Sequence, residues 1–202
     1  MTEKIKIVKG EGNALIVIDG QNDFTDPKGT LYVAGVEGES VTEKIISNIR
    51  VLKMHPFDHL ATTEDKHPVQ HVEHEIFGPH CVQDTWGQNY HPHLLETYKL
   101  SDERLVKGLD PNIFSYSICT SPQFAAHIAT LRKKGIKKVF VVGWAFTHCV
   151  GESAIAYAAQ GFETYVVRDA TASVAPPYGD PEAMTQKLKL YGVKLVNYQD
   201  IE

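Results

Sequence analysis

The stretch KKVFVVGWAFTHCVGESAIAYAAQG, residues 137–161, decides how the chain folds. Its first part, VFVVGW, is a continuous apolar run of strand length, rich in β-branched residues. Its last part, GESAIAYAAQG, is alanine-rich, has the composition of a helix and closes on a glycine. A strand apolar on both faces that runs into a helix is the repeating unit of a parallel sheet covered on both sides. Between the two lies AFTHC, a turn that sets Cys149 beside the start of the helix, with His148 just before it.

The same alternation continues in both directions. ALIVID (14–19), HLATT (59–63), RLVKG (104–108), TYVVRD (164–169) and VKLVN (193–197) read as further buried strands. Residues 37–55 space Val41, Ile45, Ile46, Ile49 and Leu52 as a helix does. Ser121-Pro122 and Asp180-Pro181 supply an N-cap and a first-turn proline for helices that stop at Gly135 and Gly192. Strands alternating with helices predict right-handed crossovers and a mostly parallel sheet. Residues 63–101 break the pattern, being rich in histidine and proline with little apolar periodicity, and are expected to form a long functional insertion.

Composition narrows the function classes. The 202 residues suit one α/β domain spanning 1–202; 43% hydrophobic and 22% charged residues are ordinary globular values. A formal net charge of -5 gives no basic footprint for nucleic acid or an acidic membrane surface. The amino-terminal residues lack the apolar core of a signal peptide and no run reaches membrane-spanning length, so a soluble cytoplasmic protein is expected. Three widely spaced cysteines, Cys81, Cys119 and Cys149, argue against a disulfide framework and for at least one free thiol.

Four features carry chemistry. Asp19 closes the most apolar strand, at the carboxyl end where open α/β sheets bind ligands, although an aspartate there also serves simply to cap a turn. Lys107 closes another strand and must either reach solvent or meet a carboxylate. Cys149 is either a buried structural thiol or a nucleophile whose pKa a helix amino end would lower. His148 is the obvious base by sequence, but adjacent side chains point apart, which ranks it below Asp19. Finally, Asp65 and His67 face the same way on an extended segment, and with His80 could hold one metal ion with open positions; Glu73 is a further candidate ligand. His71, His74, His91 and His93 read as surface histidines.

Taken in order, ALIVIDGQNDF, TEDKHP, GPHCVQDTWG, VKGLDPNIFSYS, VFVVGWAFTHCV and GFETYVVRDAT resemble the nicotinamidase and pyrazinamidase branch of the isochorismatase-like cysteine hydrolases, over residues 14–171. The resemblance implies a six-stranded parallel sheet in the order 3-2-1-4-5-6 with helices on both faces. It implies Asp19 as catalytic acid/base, Lys107 as catalytic lysine and Cys149 as nucleophile. Asp65, His67 and His80, with Glu73 as a fourth in some members, match the metal ligands. Trp144-Ala145 matches a cis peptide, the backbone N–H groups of Ala145 and Cys149 an oxyanion hole, and Phe24 and Phe77 a pair of rings that sandwich the substrate. The implied activity is hydrolysis of nicotinamide to nicotinate and ammonia through a thioester, in NAD salvage, with pyrazinamide as a further substrate. One divalent ion is implied, zinc first, then iron or manganese. A small-molecule amide is the implied partner, and a homo-oligomer is expected. Lys66, Phe146 and Thr147 depart from the branch's usual residues. Two other readings stay open: hydrolysis of another small amide, such as an N-carbamoyl or ureido compound, and a non-catalytic redox or metal-binding protein.

Overall fold

The computed structural model describes residues 4–36 and 42–202. Six strands, β1 (Asn13–Ile18), β2 (His59–Asp65), β3 (Glu103–Lys107), β4 (Lys138–Trp144), β5 (Glu163–Ala172) and β6 (Lys194–Val196), form one sheet in the order β3-β2-β1-β4-β5-β6. Every neighbouring pair is parallel. The architecture is the one the resemblance implies.

Among the described residues seven α-helices accompany the strands: α1 (Asn22–Thr25), α2 (Thr42–Lys53), α3 (His74–Phe77), α4 (Leu95–Leu100), α5 (Phe124–Lys133), α6 (Gly151–Ala159) and α7 (Pro181–Leu190). Successive residues of a strand face opposite sides of the sheet, so each strand feeds two cores. Leu15 and Val17 pack with Ile45, Ile46, Ile49 and Leu52 of α2. Ala14, Ile16 and Ile18 pack on the other side with Ile128 of α5, Ala154 of α6 and Leu188 of α7. Burying a Val, Leu or Ile side chain contributes roughly 1.5–3 kcal/mol. These two apolar layers therefore hold the strand ends, and whatever they carry, in fixed positions.

The start signals differ in how literally they hold. Asp180 caps α7 by accepting from Ala183 N at 2.9 Å, with Pro181 in the first turn, as expected. Ser121-Pro122 instead form a separate turn, and α5 starts only at Phe124 after Ser121 Oγ has accepted from Gln123 N at 3.2 Å. The expected helix from residue 37 is α2 from Thr42; residues 37–41, Val41 included, lie outside the described residues. Residues 63–101 are more ordered than their sequence suggests, because β2 runs on to Asp65 and α3 and α4 follow. Asp23 ties this segment down through Oδ2, which accepts from Cys81 N at 2.7 Å.

Candidate active site

The order in which strands are added across the sheet reverses between the parallel neighbours β1 and β4: from β1 the connections lead outward to β2 and β3, and from β4 to β5 and β6. The crevice beyond the carboxyl ends at such a point is where open α/β sheets bind ligands. Asp19 follows the last residue of β1, Asp65 ends β2, Lys107 ends β3, and Cys149 lies in the turn after β4. Pairing of Ile18 with Gly143 and of Asp65 with Lys107 brings all four to one place. Gly143 has no substitute there, since a Cβ would come 2.0 Å from Ile18 O. Asp19 has φ 46°, a left-handed conformation rarely adopted by a non-glycine residue and found at functional positions. Thr63 holds it: Asp19 N donates to Thr63 O at 3.2 Å, and Thr63 Oγ1 donates to Asp19 Oδ1 at 2.6 Å.

Lys107 meets carboxylates, which settles the choice its sequence left open. Its Nζ lies 2.5 Å from Asp65 Oδ1, 2.9 Å from Asp19 Oδ2 and 3.5 Å from Cys149 Sγ, with no exposed side-chain surface. Burial works against its charge, but Asp19, Asp65 and Cys149 outweigh burial and hold its pKa well above the usual lysine value. For Asp19 burial dominates, Lys107 opposes it and Asp65 adds to it, so the carboxyl is pushed up to about 6. Lys107 Nζ, at 2.9 Å, is the polar group that faces Asp19 Oδ2, the oxygen that Thr63 leaves uncovered. For Asp65, burial is outweighed by Lys107 and then His67, and the pKa falls below the usual range.

Cys149 does not sit at an open helix end. Residues Phe146–Val150 form one wide π-type turn, in which His148 N and Val150 N both donate to Ala145 O at 3.0 Å, and α6 begins only at Gly151. Burial pushes the thiol well above its ordinary pKa; Lys107 pulls it down, while Asp19, Asp65 and Glu73 push it further up. The lowering expected from a helix dipole is therefore overturned, and the resting sulfur is a thiol within 4.8 Å of carboxylate oxygens of Asp19 and Asp65. His148 Nδ1 meets Thr147 Oγ1 at 3.0 Å, and the ring packs edge-on against Phe77 and Tyr116. Trp144-Ala145 is a cis peptide.

The residues expected to hold a metal converge. Asp65, His67 and His80 present ligand atoms within 4.8 Å of one another. Glu73 Oε2 lies 3.9 Å from Nε2 of both His67 and His80. The outer nitrogens donate to carbonyls, His67 Nδ1 to Gly108 O at 3.1 Å and His80 Nδ1 to Gly78 O at 2.8 Å, which turns each Nε2 lone pair inward. Gly108 permits this, since a Cβ would come 2.5 Å from the His67 ring. Burial pushes His67 down to about 3, so its imidazole is neutral, and its buried Nε2 has no hydrogen-bond partner. Asp19 and Asp65 share the ammonium of Lys107, while the buried Glu73 carboxylate faces the His67 and His80 imidazoles. An orphaned imidazole nitrogen, mixed N/O donors and surplus negative charge fit a divalent cation. His71 and His91 are buried, against the expectation of surface histidines; the His71 ring lies tilted against that of His67, with centroids 4.0 Å apart.

Beside the thiol a narrow pocket is lined by Phe24, Phe77, Tyr116, Leu31, Val33 and Val174, with His80, Glu73 and Cys149 among its polar wall. Sequence reasoning found the two phenylalanines but missed Tyr116, and it missed the supports behind the site. Gln21 clamps the Asp65 backbone, donating to Asp65 O at 2.7 Å and accepting from Asp65 N at 2.8 Å. Ser115 donates to Glu73 Oε1 from its N at 2.6 Å and from its Oγ at 2.8 Å. The DGQ sequence after the strand was a signal for Gln21; nothing local marks Ser115.

In sequence and fold the chain is similar to several known proteins. The chain is 31% identical to the nicotinamidase of Acinetobacter baylyi, over 98% of each chain. It superposes with a TM-score of 0.81, at 28% identity, on PnC1 from L. infantum in complex with nicotinate, covering 96% of this chain and 97% of that one. The pyrazinamidase of Pyrococcus horikoshii in complex with zinc aligns with a TM-score of 0.71 at 32% identity, covering 92% and 98%. Residues 13–200 match the isochorismatase domain, and the chain belongs to that family.

Proposed function

We propose that this protein is a metal-dependent nicotinamidase that hydrolyses nicotinamide to nicotinate and ammonia for NAD salvage, with pyrazinamide as a second substrate. One observation carries the reading: Lys107 Nζ ties the base, the metal-ligand carboxylate and the sulfur together, at 2.9 Å from Asp19, 2.5 Å from Asp65 and 3.5 Å from Cys149. The names of the relatives, nicotinamidase and pyrazinamidase, supply the substrate class.

The amide lies flat between Phe24 and Phe77, which exclude water and direct its carbonyl to Cys149. Asp19 takes the thiol proton as sulfur attacks, and Lys107 compensates the charge that passes between carboxylate and sulfur. Because burial holds the thiol pKa up, transfer to Asp19 and attack occur together rather than from a standing thiolate. N–H groups of Ala145 and Cys149 receive the oxyanion, worth about 3 kcal/mol per donor. Asp19 returns its proton to the departing nitrogen, ammonia leaves, and the acyl group stays on sulfur as a thioester. Asp19 then takes a proton from water as it attacks the thioester, and nicotinate leaves with the thiol restored. Asp65, His67 and His80, with Glu73, would hold a divalent ion, for which zinc is the first choice; when bound it supplies a Lewis-acid site for the pyridine nitrogen or for water.

No described helix is long and apolar enough to cross a membrane, and we assign the activity to the cytoplasm. Ammonia release from nicotinamide by the zinc-loaded protein tests the proposal, with a mass increase on Cys149 after acid quench as the sign of the thioester. Turnover of an N-carbamoyl compound but not of nicotinamide would assign the site to another small amide.

A further inference from the structure

The amino ends of β2 and β3 hold a second cluster that the amidase reaction does not use. β2 has seven residues, so His59 at its start stands about 20 Å from Asp65 at its end. Around His59 gather Glu103, the first residue of β3, and His127 from the middle of α5. Their ligand atoms lie within 4.8 Å of one another. Glu103 Oε2 is 2.6 Å from His127 Nδ1 and 3.0 Å from His59 Nε2. Both imidazoles are buried, with 0% and 1% of the side chain exposed, and His59 Nε2 makes no hydrogen bond although Glu103 Oε2 is near.

The outer nitrogen of His127 has the kind of partner that a metal-bound histidine requires, and that of His59 has a carboxylate in reach. His127 Nε2 is 3.0 Å from Tyr157 Oη, which can accept its proton. His59 Nδ1 is 3.5 Å from Asp102 Oδ2, a carboxylate oxygen already fixed by Leu60 N at 2.8 Å. We propose that His59 Nε2, Glu103 Oε2 and His127 Nδ1 form a second binding site for a divalent transition-metal ion of the zinc class, at the end of the sheet opposite the active site. Two imidazoles and one carboxylate are a donor set that zinc accepts, with a fourth position open to water. Burial lowers the pKa of both histidines, so both are neutral at pH 7. Binding needs a tautomer change, each ring proton moving from the inner to the outer nitrogen to face Asp102 or Tyr157, and at His59 it also needs Lys134 to move aside. Lys134 competes, because its Nζ lies 2.9 Å from His59 Nδ1 and donates where that proton must stand.

Zinc chloride titrated calorimetrically into metal-stripped full-length protein, with elemental analysis of the dialysed product, tests the site. We expect two ions per chain in the native protein, one in His127→Gln, one in His67→Gln, and none in the double variant. In the His67→Gln background, Lys134→Met should tighten the remaining site about tenfold. Glu103→Gln, whose parent side chain is 28% exposed, provides the count if His127→Gln fails to fold. One ion per chain in the native protein, or two in folded His127→Gln or Glu103→Gln, overturns the proposal. These counts stand or fall independently of whether nicotinamide is the substrate.

Discussion

β2 and β3 carry a polar cluster at each end, and the two clusters are built on opposite principles. At the carboxyl ends the lysine and aspartate side chains are almost entirely enclosed, Lys107 at 0% and Asp65 at 2% exposure. At the amino ends the corresponding pair is open to water, Lys134 at 37% and Asp102 at 46%. In the dry cluster each charge depends on its neighbours, because removing one leaves another uncompensated in a low dielectric. In the wet cluster solvent screens each charge, and the buried members are neutral imidazoles. The first arrangement can store and move a proton; the second can hold an ion without reacting.

That contrast breaks if chemistry depends on the amino-end cluster. Cys149→Ala should reduce ammonia release from nicotinamide by at least about 10⁴-fold, because the step that forms the acyl intermediate is lost. His127→Gln should leave the same rate within about twofold of the native value, since it reaches no reacting atom. Initial rates at saturating nicotinamide decide both, and comparable losses in the two variants would erase the distinction between the ends.

The next largest effect is on stability. Lys107→Met leaves Asp19 and Asp65 buried without their cation, and breaking a buried ion pair in this way costs about 3–5 kcal/mol. Denaturant unfolding of the metal-free protein should show a loss of this size at pH 7. The loss should shrink as pH falls, because Asp19 and Asp65 then shed their uncompensated charge by protonation.

How much of this was open to sequence reading follows from where the interactions lie. Apolar runs announced all six strands, because a strand buried on both faces has to be apolar throughout. Asp19, Lys107 and Cys149 were visible as reactive side chains at strand ends. Their contact was not, since it depends on β1 lying between β2 and β4, a matter of topology rather than local pattern. The helix dipole argument for Cys149 failed for a related reason: the π-type turn and three nearby carboxylates belong to the tertiary structure. His59, Glu103 and His127 were passed over altogether. Their spacing along the chain resembles no ligand motif, and only the pairing of β2 with β3 under α5 assembles them.

The pH dependence sharpens the contrast within the dry cluster itself. Asp19 acts as base when ionised, and burial pushes its carboxyl up to about 6, so kcat/KM should fall about tenfold per pH unit below that inflection. Its contribution to stability runs the other way. The pKa rises on folding, from 3.8 to about 6, so the folded state holds the proton more tightly and this carboxyl destabilises the fold as pH climbs through that interval. Activity should thus rise where Asp19's share of stability declines. A profile of kcat/KM flat down to pH 4.5 would remove Asp19 from the base role.

The smallest predicted effect tests the wet cluster. Lys134 touches His59 Nδ1 at 2.9 Å and Asp102 Oδ1 at 3.5 Å, yet more than a third of its side chain is in solvent. Exposed pairs of this kind contribute about 0–1 kcal/mol. Lys134→Met should therefore change unfolding stability by less than about 1 kcal/mol, because water or Asp102 can take its place beside the imidazole. Lys107→Met and Lys134→Met remove the same charge next to an aspartate at opposite ends of one strand pair. A cost at Lys134 approaching that at Lys107 would mean that screening does not separate the two ends, and that the buried imidazoles depend on the lysine as the carboxylates do.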